Sequence, residues 1–229
     1  MFKWGYFPEV IKYDNIDKLL SEKETNSLMW AGRFIELKHS EHAIEMARRL
    51  KKDGIQFKLT MVGNGPLLSK MKEKVSKNGL DDCVKFTGAL SQDEVRRLME
   101  KSSIYLFTSD YNEGWGAVLN ESMNSGCAVL TNRAIGAVPF MMKDGINGRV
   151  YQNGRIDEMY SLLRTMTDNP ELCKKYGKEA YYTITQNWSP QEAAKRFIHL
   201  SNFLLEGKDI KSLYEFGPCS IAKPIYQSK

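Results

Sequence analysis

The chain has 229 residues, 42% of them apolar and 27% charged, with a net charge of +5, which is typical of a folded globular protein. It contains no apolar run of about 18 residues and no signal peptide, so we expect a cytoplasmic protein without a transmembrane helix. The basic residues fall in helical runs without interleaved aromatic residues, which argues against nucleic acid as a partner. Four cysteines without a Cys-x-x-Cys pair indicate free thiols.

Short β-rich runs alternate with helical runs through the first two thirds of the chain. The predicted strands are 27–31, 57–62, 84–87, 104–108, 128–131 and 148–151. The predicted helices between them are 39–52, 67–78, 92–101 and 117–124, and three more follow at 155–167, 170–186 and 190–205. This alternation predicts an α/β fold, a Rossmann-like doubly wound parallel sheet with helices on both faces, followed by C-terminal helices.

The same pattern divides the chain into three segments. Residues 27–205 form the predicted domain. Residues 1–26 do not make a complete βα unit, and we interpret them as a linker that enters the domain. Residues 206–229 are polar, with glycine and proline, and we expect a loosely held C-terminal tail.

The first predicted strand is followed by Gly32, Arg33 and, a few residues later, Lys38. A guanidinium and an ammonium group beside the start of a helix can bind an anion. A salt-bridging surface pair explains Arg33 and Lys38 equally well at this point. His39 and His42 begin the next helix, and a solvated helix start explains this pair better than a metal site does.

Glycine turns follow the second and third predicted strands. Gly63 and Gly65 allow a sharp turn and a close approach of the backbone to a ligand, although an ordinary βα turn explains them as well. The turn is not a dinucleotide fingerprint, because Leu68 stands at the third glycine position, and this argues against a nicotinamide enzyme. Backbone groups from Gly88 to Leu90 could contact a nucleobase edge.

The fourth predicted strand leads into the motif Glu113-Gly-Trp-Gly-Ala-Val-Leu-Asn-Glu121, two glutamates separated by seven residues. Its glycines leave room for a sugar or phosphate, and the helix that follows favours anions at its amino end. Glu113 could instead be a helix-dipole partner. Glu121 could be an exposed helix charge, but it stands among apolar residues, where a carboxylate needs a partner. Paired carboxylates also leave a glycoside hydrolase open as an alternative.

Taken together, these motifs resemble the donor-binding half of the retaining GT-B glycosyltransferases with the Glu-x7-Glu motif. The resemblance covers residues 27–205 and implies a nucleotide diphosphate sugar, most often UDP-linked, as the donor. By resemblance, Arg33, Lys38 and Glu113 are the catalytic residues: the two cations bind the diphosphate and Glu113 contacts the sugar. Glu121 binds the ribose, and the other substrate-binding positions are Gly32, Gly63, Gly65, Gly88, Leu90, Gly114, Trp115, Gly116, Ala117 and Val118.

The resemblance also implies what else the reaction uses. Neither a metal nor another cofactor is expected, since the two cations supply the charge. Family members carry a second, N-terminal domain that binds the acceptor, here expected to be a glycan or lipid-linked molecule of a polysaccharide pathway. We therefore interpret residues 1–26 as the remnant of an interdomain connection and expect the isolated domain to be inactive. The full-length enzyme could attach peripherally to the inner face of the membrane. A noncatalytic nucleotide-sugar-binding module remains an alternative.

The chain departs from the family pattern at several positions; the replacements by Trp115 and Ala128 are mild, and two others bear on the loops of the site. His39 stands where the family usually has glycine after the lysine, so the phosphate loop could have a different shape. The run Gly136-Ala137-Val138-Pro139-Phe140 replaces a Gly-Gly-x-Pro-Glu sequence, which puts the contribution of that later loop in doubt.

Overall fold

The computed structural model describes residues 1–209 and 213–222. Within these residues, six parallel strands form one sheet: β1 (Glu24–Ala31), β2 (Lys58–Val62), β3 (Val84–Gly88), β4 (Ser102–Phe107), β5 (Ala128–Asn132) and β6 (Gly148–Tyr151). Their order across the sheet is β3-β2-β1-β4-β5-β6. The predicted Rossmann-like parallel sheet is thus confirmed. The order reverses between β1 and β4, and in open sheets ligands bind beyond the strand ends at such a reversal.

The helices that alternate with the strands are α1 (Ile16–Ser21), α2 (Ser40–Lys52), α3 (Leu68–Lys77), α4 (Gln92–Lys101), α5 (Val118–Asn124) and α6 (Val138–Met141). The C-terminal helices are α7 (Ile156–Thr167), α8 (Pro170–Gln186) and α9 (Pro190–Leu205). The last two begin as the sequence predicts. The side chains of Asn169 and Ser189 accept hydrogen bonds from the backbone N–H groups of Leu172 and Glu192, at 3.0 and 3.2 Å.

Both faces of the sheet are buried, which explains the nearly continuous apolar runs of its strands. Along β4 the side chains alternate between two cores: Ile104 and Leu106 pack on the face covered by α2, α3 and α7. Tyr105 and Phe107 pack on the opposite face, which α5 and α8 cover. This two-sided burial fixes the strands in register and leaves their carboxyl ends as one rigid edge.

The amino-terminal segment packs against the domain. It contains the short helix α1, which buries Ile16 and Leu20. The sequence pattern did not predict this helix, because it has too few apolar residues to show a helical repeat. The strand β1 also begins three residues earlier than Ser27. Further upstream, the Phe7 ring stacks on Trp188 with centroids 6.0 Å apart, and Ile11 exchanges two backbone–side chain hydrogen bonds with Asn124.

The predicted tail, residues 206–229, is described in part, since 210–212 and 223–229 lie outside the described residues. Cys219 and Ser220 are buried, and a short antiparallel bridge joins Ile221 to Phe2. All four cysteines are free, as predicted: three are buried and Cys83 is partly exposed. Within the described ranges, no helix is long and apolar enough to cross a bilayer.

Candidate functional site

A cleft of about 470 Å³ opens at the carboxyl ends of β1, β2 and β3. Its volume lies in the range of small-molecule sites. The structure brings several predicted site residues together in its wall: Gly32, Arg33, Gly63, Gly65 and Leu90. The cleft therefore lies beyond the carboxyl ends of the strands, on the β1 side of the reversal.

The turn after β2 approaches the turn after β1 so closely that only glycine fits. Gly63 has φ +129°, and a Cβ atom there would lie 1.9 Å from the carbonyl oxygen of Gly32. A Cβ at Gly65 would lie 2.6 Å from the Phe34 carbonyl oxygen, and the Phe34 N–H donates to the Asn64 carbonyl at 2.9 Å. The bare backbone of these two turns therefore forms part of the cleft wall.

The third turn joins the same wall through its backbone. The Gly63 N–H donates to the carbonyl of Gly88 at 2.8 Å, and Gly88 has φ +77°. A Cβ at Gly88 would meet no atom within 4 Å, so glycine is favoured there by its positive φ angle and not by lack of space. Leu90 follows, partly buried against the core.

Arg33 and Lys38 differ in their surroundings. Among the described residues, the exposed Arg33 side chain has no recorded ion-pair or hydrogen-bond partner, and it lines the cleft. Lys38 forms an ion pair with Glu113, from a loop 75 residues away in sequence, with 19% and 14% of the two side chains exposed. The salt-bridging alternative considered from the sequence thus applies to Lys38 alone, and its pair with Glu113 is largely buried.

The Lys38–Glu113 ion pair is held from both sides. The Ser109 hydroxyl donates to Glu113 Oε2 at 3.0 Å. The Thr108 hydroxyl donates to the Lys38 backbone carbonyl at 2.6 Å and accepts from the buried indole N–H of Trp30 at 2.9 Å. The pair is thus linked through Thr108 to the core beneath β1 and β4. Ser109 and Thr108 were not predicted as site residues, although Thr108 ends the predicted fourth strand and Ser109 follows it directly.

The backbone conformation of His39 is one that favours glycine, the residue that the family usually has at this position. Its φ is +44°, in the left-handed region, where a side chain is disfavoured. Its imidazole lies between two carboxylates: Nδ1 is 2.9 Å from Glu41 Oε1, and Nε2 is 3.1 Å from Asp110 Oδ2. The Asp110 N–H donates to the Leu37 carbonyl at 3.0 Å. These contacts hold the turn that carries Lys38 against the loop that carries Glu113.

Glu121 lies on α5 and faces the start of α4. Burial raises the pKa of its carboxyl above the ordinary value. The Gln92 side-chain amide donates to Glu121 Oε1 at 3.4 Å, and one turn further along α4 Arg96 donates to Asn124 at 3.0 Å. Gln92 is a site candidate that the sequence reasoning missed. The available signal was its place at the start of the helix that follows Gly88 to Leu90.

The loop of Glu113 is braced by the loop after β5. The Gly136 N–H donates to the Glu113 carbonyl at 3.1 Å, and the Ala137 N–H donates to the Trp115 carbonyl at 3.3 Å. A Cβ at Gly136 would lie 1.8 Å from the carbonyl oxygen of Gly114, so glycine is required there. The altered 136–140 run thus retains a supporting role for the loop that carries Glu113.

The remaining motif residues lie on different sides of the same loop. The Trp115 side chain is only 9% exposed, packs against Phe140 and Trp188, and donates its N–H to Asn120 at 3.0 Å, so it belongs to the core. Gly114 is exposed. Gly116 has φ +80° and lies against the Phe107 ring. Helix α5 begins at Val118, which is half-buried, and Ala117 before it is exposed.

The described residues also include one group of side chains with the composition of a metal site, formed by His39, Glu41 and His42. From the sequence, a solvated helix start is the preferred explanation of the two histidines; the contact of His39 with Asp110 arises only in the folded chain.

Comparison with known proteins places the chain among glycosyltransferases. A family model described as glycosyl transferases group 1 matches residues 12–183. AmsK of Erwinia amylovora, an amylovoran biosynthesis glycosyltransferase, is 28% identical over 141 residues, which are 59% of this chain and 34% of AmsK. The chain spans about a third to a half of the length of the first curated relatives it matches.

Solved structures agree on the fold. A mutant of S. aureus TarM in complex with fondaparinux, alpha-GlcNAc-glycerol and UDP has a TM-score of 0.72 at 21% identity, over 86% of this chain and 38% of TarM. The C-terminal domain of LpcC, a group 1 glycosyl transferase from Francisella tularensis, has a TM-score of 0.66 at 24% identity, over 78% of this chain and 95% of that domain. Since the family model covers most of its length, the chain belongs to the glycosyl transferases group 1 family.

Proposed function

We propose that this chain is the donor-binding domain of a retaining glycosyltransferase, which transfers a sugar from a nucleotide diphosphate sugar to a glycan or lipid-linked acceptor. The observation that carries the proposal is the Lys38–Glu113 ion pair beside a cleft that Arg33 lines. The pair lies at the strand-order reversal, where its cation could face the diphosphate and its carboxylate the donor sugar.

The charges fit the chemistry of such a transfer. When the bond between sugar and diphosphate breaks, negative charge accumulates on the leaving diphosphate. Fixed cations at that position stabilise the transition state more than the ground state. Lys38 and Arg33, whose side chain forms no ion pair or hydrogen bond among the described residues, would supply this charge, so the proposed transfer does not require a metal. Glu113 would orient the donor sugar.

The rest of the donor would follow the cleft wall. The backbone from Gly88 to Leu90 would receive the base, and Glu121, oriented by Gln92, would bind the ribose hydroxyls. A UDP-linked donor is favoured because UDP is present in the TarM complex, whose fold this chain shares. Because the curated relatives are two to three times longer than the matched region, we propose that a further domain binds the acceptor and that these residues alone bind donor without turnover.

Calorimetric titration with UDP, GDP and ADP tests the donor site directly. We expect one of these nucleotides to bind the folded chain, with UDP the tightest. Arg33→Ala should weaken UDP binding at least about tenfold, or roughly 1.4 kcal/mol, and leave uridine binding unchanged, because its guanidinium would contact only the diphosphate.

Arg97→Ala is the matched control, since it removes an exposed arginine from the middle of α4. Its UDP affinity should equal that of the unmodified chain. If Arg33→Ala weakened uridine and UDP equally, the diphosphate role of Arg33 would be wrong. If a folded sample bound none of the three nucleotides, the donor site itself would be refuted.

A further inference from the structure

We propose that His39, Glu41 and His42 form a binding site for one divalent transition-metal ion of the Zn²⁺ type at the start of α2. This site goes beyond the proposed function, because the sugar transfer proposed above draws its positive charge from Arg33 and Lys38. The ion would instead fasten the turn that carries Lys38.

The ligand atoms are already close to one another. Glu41 Oε1 lies 2.9 Å from His39 Nδ1 and 3.9 Å from His42 Nε2, and ligand atoms from all three residues lie within 4.8 Å of one another. Zinc binds nitrogen and oxygen at about 2.0–2.2 Å, which places tetrahedral ligand atoms roughly 3–4 Å apart. Small side-chain rotations would therefore bring the three groups to coordination distance.

The contacts of His39 require a positive charge at its ring. A neutral imidazole has one N–H group, yet both nitrogens of His39 face carboxylate oxygens, Glu41 at 2.9 Å and Asp110 at 3.1 Å. One of these contacts would otherwise set a lone pair against an anion. Either a second proton or a metal ion must therefore lie on that side of the ring.

Asp110 decides which side would take the metal. If Nε2–H donates to Asp110, the Nδ1 lone pair points towards Glu41, where the metal would lie. A metal-ligating histidine commonly donates its other N–H to a carboxylate in this way. Asp110 is itself held in place, because its own N–H donates to Leu37 and its second oxygen accepts from the Asn112 N–H at 2.8 Å.

His42 brings a second imidazole to the same place. Its ring stacks on that of His39 with centroids 4.8 Å apart and planes 6° from parallel. Two imidazoles with one carboxylate suit zinc and its neighbours in the transition series rather than magnesium or calcium, which prefer oxygen ligands.

Equilibrium dialysis of the complete chain against Zn²⁺ tests the proposal, with Co²⁺ absorption as a readout of ligand geometry. We expect one ion per chain and a tetrahedral Co²⁺ spectrum. His42→Gln should weaken binding at least tenfold, because loss of even a supporting partner of a ligand typically costs 10–100-fold. Asp110→Asn should weaken binding about tenfold through His39.

His199→Gln is the matched control, since it removes the remaining histidine of the chain, which is exposed on α9, far along the sequence. It should leave zinc affinity unchanged. Circular dichroism and thermal unfolding of each variant show whether it folds. If His42→Gln does not fold, Glu41→Gln is used instead, because the Glu41 side chain is partly exposed.

Absence of stoichiometric Zn²⁺ binding to the folded chain would overturn the proposal, and a proton on His39 would then explain its contacts. Equal binding by the unmodified chain and His42→Gln would also overturn it, since zinc would then be held elsewhere, for example by thiols. UDP titration without zinc tests the donor site separately, so failure of one proposal does not decide the other.

Discussion

Replacing Lys38 by methionine tests whether its ion pair with Glu113 supports this edge of the sheet. The change keeps the length of the side chain and removes its charge. Glu113, 14% exposed, would keep the Ser109 hydroxyl as its remaining side-chain partner among the described residues. An unpaired buried charge costs about 3–5 kcal/mol, and partial exposure of both groups reduces this to about 1–3 kcal/mol.

For a chain of this size, a loss of about 1–3 kcal/mol corresponds to a fall in Tm of roughly 2–12 °C. Urea unfolding followed by circular dichroism measures the free energy, and thermal unfolding checks it. Adding Glu113→Gln to Lys38→Met should recover part of the loss, because no unpaired charge then remains. Coupling of about 1 kcal/mol or more is expected between the two positions.

Lys178→Met is the matched control. Lys178 pairs with Asp17 on the surface, with 37% and 65% of their side chains exposed, so its removal should change stability by less than about 1 kcal/mol. The reasoning is refuted if Lys38→Met is no more destabilising than Lys178→Met, or if the effects of Lys38→Met and Glu113→Gln simply add.

Three further predictions concern the surroundings of the site. Gly136→Ala should lower Tm and UDP affinity together, because its Cβ would lie 1.8 Å from the Gly114 carbonyl; unchanged values in both assays would contradict the bracing role of that loop. Glu121→Ala should weaken UDP binding about tenfold, and Gln92→Leu by less, while neither should affect a 2′,3′-dideoxy analogue, which calorimetry can check. The arginine partners of Glu45 lower the pKa of its carboxyl from 4.5 to about 2. Glu45→Gln should therefore destabilise the chain by about 1 kcal/mol at pH 7. Because a lowered carboxyl pKa adds stability above the unfolded value, that difference in unfolding free energy should fade as pH falls from about 4.5 to 2.

Much of the fold follows from local sequence patterns. Strand runs such as 104–108 alternate with amphipathic helices, and this alternation is enough to predict a parallel sheet. The helix starts at Pro170 and Pro190 were predictable, because in each case a capping residue directly precedes a first-turn proline in the sequence. Helix α1 was not predictable from the sequence, because six residues are too few to show a helical period.

The candidate site was predictable to the extent that strand ends are. Gly32, Gly63 and Leu90 each follow a strand, and parallel strands end at one edge, so their meeting in one cleft follows from chain order. The side-chain direction was not predictable in the same way. Trp115 stands within the motif, yet its ring points into the core, because Phe140 and Trp188 cover it from distant parts of the chain.

By itself, the sequence determined that this chain forms a Rossmann-like sheet with glycine turns, cations and carboxylates after its strands. Tertiary structure alone decided which of the charged side chains meet. Because the strand order reverses at β1, the turn after β1 lies beside the loop after β4. That neighbourhood joins Lys38 to Glu113 and His39 to Asp110 across more than 70 residues of chain, contacts that no local pattern encodes.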